Sequence, residues 1–413
     1  MDNPTTQKSV IRELLSVSVI VAALGYFVDV YDLILFSIVR VPSLKSLGYS
    51  GSQLLNYGVN LLDVQMAGML LGGIVWGILG DKKGRKKILF TSIVIYSIAN
   101  AANGLFVHSI YEYIIWRFIA GFGLAGELGA GITLVLELLR KEVRGYGTML
   151  VATMGVSGAA VANIVSKLFA WRVSFMIGGG LGLLLLILQM SVLESGIYRN
   201  VKTMKVSKGN FFKFFTNRKR FFKYLQSTLI GVPIWFSLSV LITFAPEFAK
   251  ALHINGTINA GDAVMWYYLG ATLGDFVSGF LSQYFGTRKK VVFGFVTTLT
   301  MMMVVYLLQS NISSTTFYVI CFATGLPAGY WAVFVTIAAE QFGTNLRATA
   351  ASTIPNFVRG AVIPITLLFQ FFAGRTNVVL SAAIVAGLCL AIAYISLYFL
   401  EETFHKDMDF VEE

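Results

Sequence analysis

Long apolar runs are the feature of this sequence that leaves the least freedom to its fold. They predict helices at 14–39, 57–79, 88–107, 112–139, 147–168, 171–193, 222–251, 262–285, 291–308, 316–342, 348–372 and 378–400. A bilayer-crossing helix needs about 20 mostly apolar residues, and these runs are of that order. Inside lipid no water satisfies backbone N–H and C=O groups, so a spanning run must close its hydrogen bonds within itself, which selects the helix. Charge is scarce to match: 13% of the residues are charged, where a soluble chain carries about 25%.

The net charge is +11, a balance that in a soluble chain would suggest nucleic acid. Its distribution excludes that partner. Lys82, Lys83, Arg85, Lys86 and Lys87 fill the turn after the second run, and Arg140, Lys141 and Arg144 follow the fourth. Eight more cations lie between Arg199 and Arg220, and Arg288, Lys289 and Lys290 follow the eighth run. With alternating helices all of these fall on one side. The other side has only Arg40, Lys45, Lys167, Arg172, Lys250 and Arg375. Basic loops stay cytoplasmic, so both termini are expected there, in a bacterial-type inner membrane. The first run is too long and too acidic for a secretory leader. The basic central stretch reads equally as an interfacial helix on anionic lipid or as a solvated linker. Cys321 and Cys389 lie in apolar runs, and His108, His253 and His405 are scattered. No metal site or cofactor is expected.

The chain repeats itself. Gly68-Met-Leu-Leu-Gly72 returns as Gly270-Ala-Thr-Leu-Gly274, the segment 77–87 aligns with 279–289, and Glu137 and Arg144 match Glu340 and Arg347. Six helices are duplicated, giving an expected division into 1–193, a linker at 194–221, and 222–413. Duplicated bundles are the architecture of alternating-access carriers, with a solute site near the midplane between them.

Five segments carry a family resemblance. Gly77-Ile-Leu-Gly-Asp81-Lys-Lys-Gly84-Arg85-Lys86-Lys87 is similar to the loop 2–3 signature of the major facilitator superfamily. Arg117-Phe-Ile-Ala-Gly121-Phe-Gly123 resembles its helix 4 signature. Asp29-Val-Tyr31-Asp32-Leu33, Gly126-Glu127-Leu-Gly129 and Asn356-Phe-Val-Arg359-Gly360 resemble its metabolite:proton, phosphate:proton and sialate/lactate-type symporter branches. The resemblance covers nearly the whole chain. It implies an all-α membrane protein, with twelve transmembrane helices in two pseudo-symmetric six-helix bundles. It also implies a helix 1–helix 4 ion pair between Asp32 and Arg117. The second copy of the loop signature departs from the pattern, with Gln283 for Asp81 and Thr287 for Arg85, so a weaker charge network is expected there. Ala125 stands where a second glycine is common. Glu127-Leu128 replaces the Asp-Tyr pair of phosphate symporters, which argues against phosphate.

Charges in mid-helix cost at least a few kcal/mol and face a cavity or a partner. A lone aspartate in such a cavity holds its proton more tightly, and a neighbouring arginine reverses this. Asp32 and Arg117 lie at similar depth, so they read as a proton-coupling pair or as a permanent ion pair. Asp29, three residues earlier on the same helical face, is a second coupling candidate. Glu127 either carries a proton or solute contact, or braces helices. Arg359 lies between Pro355 and Pro364, which free backbone carbonyls and bend the helix. It reads as a carboxylate- or phosphate-binding guanidinium, or as the partner of Asp275 or Glu127. Asp275, Tyr31, Gln65, Trp235, Trp266, Tyr267, Tyr330 and Trp331 complete the candidate solute site. Asp81, Arg85, Glu137 and Arg144 form a candidate cytoplasmic gate, or else mark topology alone.

The expected function is proton-coupled symport of a small anionic or zwitterionic metabolite by a monomeric carrier in the lipid bilayer, with protons and a small solute as its partners. Proton-coupled efflux of a drug, siderophore or metabolite is the second reading, and a non-transporting sensor a remote third. An enzyme is not expected: no nucleophile elbow, HExxH, Cys/His metal spacing or nucleotide loop is present.

Overall fold

The computed structural model describes residues 13–83, 85–127, 139, 143–193, 211–343, 346–404 and 406. The spans, α1 to α12, begin with α1 at Val17–Ser46, α2 at Ser52–Lys83 and α3 at Arg85–Phe106. Next come α4 at Ile110–Leu124, the two segments of α5 at Arg144–Val156 and Gly158–Leu168, and α6 at Trp171–Leu193. In the second half, α8 is Ala260–Tyr284, α9 is Lys289–Leu308 and α12 is Val378–Phe399. Span α7 is built from Arg218–Leu229, Val232–Phe236, a π-helical turn at Ser237–Ile242, and Ala245–Ala251. Span α10 divides into Ser314–Ala328 and Trp331–Glu340, and α11 into Arg347–Gly360 and Val362–Ala373. Among the described residues ten helices are long and apolar enough to cross a membrane. The other two spans are α4, described only to Glu127, and α8, which is 25 residues long but carries Asp262 and Asp275.

Each half packs in the same way. In the first, α2 and α3 lie on α4, α3 on α6, and α1 against α5 and α6. In the second, α8 and α9 lie on α10, and α12 covers α7, α9 and α11. The repeated glycines make the closest contacts. A methyl at Gly68 or Gly72 would collide with the carbonyl oxygens of Phe118 and Phe122, and one at Gly270 or Gly274 with those of Phe322 and Leu326. Facing them, Gly121 meets the main chain of Gln65, and Gly325 that of Tyr267. Only small residues let two helix backbones come this near.

The halves meet along α2–α11 and α5–α8, with α1 also touching α8. At the end of α8 near Tyr284, the departure of Gln283 and Thr287 from the first repeat is offset by their neighbour. Arg288 pairs with Glu340 at 3.2 Å and donates to Ser282 at 2.9 Å. Thr403 donates to the same Glu340 at 2.8 Å. Glu402 accepts from the backbone N–H groups of Arg288 and Lys289 at the start of α9. Burial raises the Glu402 carboxyl, but hydrogen bonds from Thr287 and these backbone groups outweigh it and hold it below its ordinary value. Arg288 thus supplies a charge beside the position where Thr287 has none; the side chains of the first copy lie outside the described residues. Of the basic linker, 194–210 lies outside the described residues. Its end is anchored: Phe211 and Phe214 are buried against Tyr224, with Phe357 and Phe342 beside them.

Candidate functional site

Arg359 lies one residue before the end of the first segment of α11, where the helix breaks at Ala361 between Pro355 and Pro364. Its guanidinium is buried at the contact between the halves. It faces Asp29 of α1 at 3.5 Å, and both side chains are within 1% of full burial. It also donates to the Asn356 carbonyl at 3.3 Å, while the Asn356 amide donates to the Ala125 carbonyl of the other half at 3.0 Å. Trp235 of α7 and Trp331 of α10 stand 5.6 and 5.7 Å from the guanidinium carbon, within range of cation–π attraction. Arg359 Nε and both indole N–H groups have no hydrogen-bond partner. These groups border a cavity of about 40 Å³, walled further by Tyr26, Tyr267, Tyr268 and Asp275. That volume holds a water or so. A solute fits only when side chains turn or the halves part.

Of the expected solute-site residues, Arg359, Trp235, Trp331, Tyr267 and Asp275 converge here. Tyr267 contacts Ser237 at the start of the π-turn, 2.7 Å between hydroxyls. Asp275 does not pair with Arg359. One of its oxygens accepts the Ala332 N–H at 2.9 Å and caps the second segment of α10, whose own N-cap residue, Tyr330, makes no side-chain cap. The other expected residues do not line this cavity. Tyr31 donates to the Ser174 carbonyl of α6, Gln65 to the Leu33 carbonyl of α1, and Tyr330 to the Ile230 carbonyl of α7. Trp266 is 39% exposed on the outer surface against Phe322.

The expected ion pair between Asp32 and Arg117 is not formed. Neither side chain has a hydrogen-bond partner, and the guanidinium lies between the rings of Phe36 and Phe175, at 5.3 and 5.4 Å. Aromatic faces thus compete for the cation that similar depth and the family resemblance assigned to the aspartate. Asp32 is packed against Gly178 of α6, and Glu127 against Gly25 of α1 near Gln189. Both carboxylates are buried and, like Asn100, without a hydrogen-bond partner. Glu137 and the side chains of Asp81, Arg85 and Arg144 lie outside the described residues.

A second constellation escaped the sequence reading. It lies at the distal face, which carries the α1–α2, α5–α6, α7–α8 and α11–α12 turns. Arg40 of α1, fully buried, grips Glu247 of α7 with both terminal nitrogens, at 2.9 and 3.0 Å. It also donates to the carbonyls of Leu54 and Thr243 and lies 4.5 Å over the Phe244 ring. Lys167 and Asn163 of α5 hold Asp262 of α8, and Thr366 of α11 donates to Asp63 of α2 at 2.6 Å. The only sequence signal was the presence of the charges themselves, scattered over the less basic side.

The comparisons agree with this architecture. Residues 22–357 match the family model of the Major Facilitator Superfamily, and the chain belongs to that superfamily: it is a multi-pass membrane transporter and not an enzyme. A candidate niacin/nicotinamide transporter, NiaP, of Bacillus subtilis (strain 168) is 25% identical over 376 residues, covering 86% of this chain and 88% of the relative. The benzoate transport protein of Acinetobacter baylyi is 27% identical over 203 residues, 45% of this chain and 41% of the relative. The solved proton:xylose symporter XylE superposes with a TM-score of 0.68 at 16% identity, over 95% of this chain and 97% of that one. It shows the same fold.

Proposed function

We propose that this transporter is a proton-coupled importer of small organic carboxylates. The observation that carries the reading is the Arg359–Asp29 contact, an ion pair buried between the halves and flanked by two indoles. A solute carboxylate takes the place of Asp29 on Arg359. The freed Asp29 then sits in an apolar setting where charge is costly without a partner, and it takes up a proton. One monoanion and one proton enter the site together, and the guanidinium stays paired throughout. The niacin and benzoate relatives support a flat carboxylate, which Trp235 and Trp331 suit. Asp32 and Glu127, buried without hydrogen-bond partners, are the proposed further proton carriers, with Arg117 as the charge that acts on Asp32. Alternating access follows as the halves 1–193 and 222–413 rock about the linker, with the termini cytoplasmic. The Asp81–Arg85 signature, with Glu137 and Arg144, closes the cytoplasmic side.

The test is uptake into proteoliposomes of labelled benzoate, nicotinate, lactate and inorganic phosphate, with and without an inward proton gradient. Gradient-driven accumulation of at least one carboxylate is expected. Arg359→Lys loses the forked guanidinium contact, and its apparent affinity is expected to fall about tenfold or more. If no carboxylate accumulates, the reading is wrong.

A further inference from the structure

We infer that the distal face holds a separate, low-affinity docking site for small organic carboxylates, and that a carboxylate seated there opens the Arg40–Glu247 lock by exchanging with Glu247. A cavity of about 580 Å³ lies between the end of α1 and the α7–α8 turn. Ile38, Pro42, Leu54 and Pro246 give it apolar walls, and Lys45 and Lys250 bring two ammonium groups to it. Among the described residues neither lysine is in an ion pair, and the one acid in the lining, Glu247, is already tied to Arg40. Apolar walls with surplus positive charge fit an anion with an apolar body. The choice of carboxylates rests on the proposed chemistry of the central site.

The coupling to the lock follows from the unequal burial of its two halves. The Glu247 side chain is 22% exposed and that of Arg40 is 0%, so an arriving anion meets the pair from the glutamate side. Arg40 Nε has no hydrogen-bond partner. Stripping a buried guanidinium of its counter-ion is strongly unfavourable, whereas replacing one carboxylate by another leaves it neutralised at every step. The displaced Glu247 turns toward Lys250, three residues along the same helix. The α1–α7 contact then loses its ion pair and keeps the neutral links, Arg40 to the Thr243 carbonyl and the Phe244 ring, and the Ser37–Thr243 hydroxyl pair at 3.2 Å.

The full-length protein in nanodiscs tests this, with spin labels on cysteines placed at Gln53 and Ala251. Both positions are exposed, one on each half, and the native Cys321 and Cys389 are buried. Benzoate is the probe. It is expected to lengthen the label-to-label distance, and Lys45→Gln with Lys250→Gln to raise the half-saturating benzoate concentration about tenfold. Glu247→Gln is expected to show the long distance without benzoate. The response is expected to survive Arg359→Lys with an unchanged half-saturating concentration, although that variant weakens the central site. No lengthening with benzoate, an unchanged half-saturation in the lysine variant, a short distance in Glu247→Gln, or loss of the response in Arg359→Lys would each overturn the inference. Absence of carboxylate accumulation with an intact distance response would instead overturn only the proposed transport function.

Discussion

Arg359 brings a full charge to a contact between two apolar bundles, and Asp29 is the group that makes this tolerable. Removing one member of such a pair leaves the other buried and uncompensated, at a cost of about 3–5 kcal/mol, while replacing both is far milder. Asp29→Asn or Arg359→Gln alone is therefore expected to lower thermal stability in detergent markedly. The double variant is expected to regain most of that loss yet accumulate no carboxylate. A double variant no more stable than either single would show that the two side chains do not act as a pair. Both residues stood out in the sequence as charges in mid-span, but their pairing did not, since Asp275 and Glu127 were the acids set against Arg359. Distances between helices belong to the tertiary arrangement, and spacing along one helix reports only neighbours three or four residues apart. Tyr26 and Tyr268 gave no warning, because aromatic groups in membrane helices mostly serve packing, and Asn356 stood out only as part of a family motif.

At the scale of the helix, the broken spans matter most. The second segment of α10 begins beside the cavity, and its first free N–H groups would be orphaned without the oxygen of Asp275. Asp275→Asn keeps an accepting oxygen and is expected to hold near wild-type stability. Asp275→Leu is expected to lose about 1–3 kcal/mol, the cost of leaving a buried donor unmade, read by thermal unfolding. Were both equally destabilised, the charge and not the cap would be what counts. The breaks left partial traces in the sequence. Pro233 and Pro246 each stand in the first turn of a segment of α7, and Pro327 shortly precedes the gap in α10. Hydropathy passes over such breaks, because a run stays apolar whether or not its backbone bonds continue. The π-turn left no trace, since its residues are ordinary helix formers in lipid.

For the molecule as a whole, duplication fixes the design. The glycine pattern read from the sequence places α2 on α4 and α8 on α10 through matching contacts, so Gly72→Leu and Gly274→Leu are expected to damage folding alike. Gly294→Leu and Gly387→Leu, where an added side chain meets open space, are expected to express and unfold like the wild type. Equal behaviour of all four variants would mean that the close approach is not needed. The fold was legible because lipid leaves a chain few choices. The distal lock was not, because two charges on separate helices, far apart in the chain, give no periodic signal. A π-turn is an α-helix with one residue too many, and one residue turns the chain beyond it by about 100°. The surplus residue between Ser237 and Ile242 thus sets the compass bearing of Glu247. Shortening that turn by a single residue would swing the acid off Arg40 and leave the transporter's distal end unlatched, with every side chain of the lock still present.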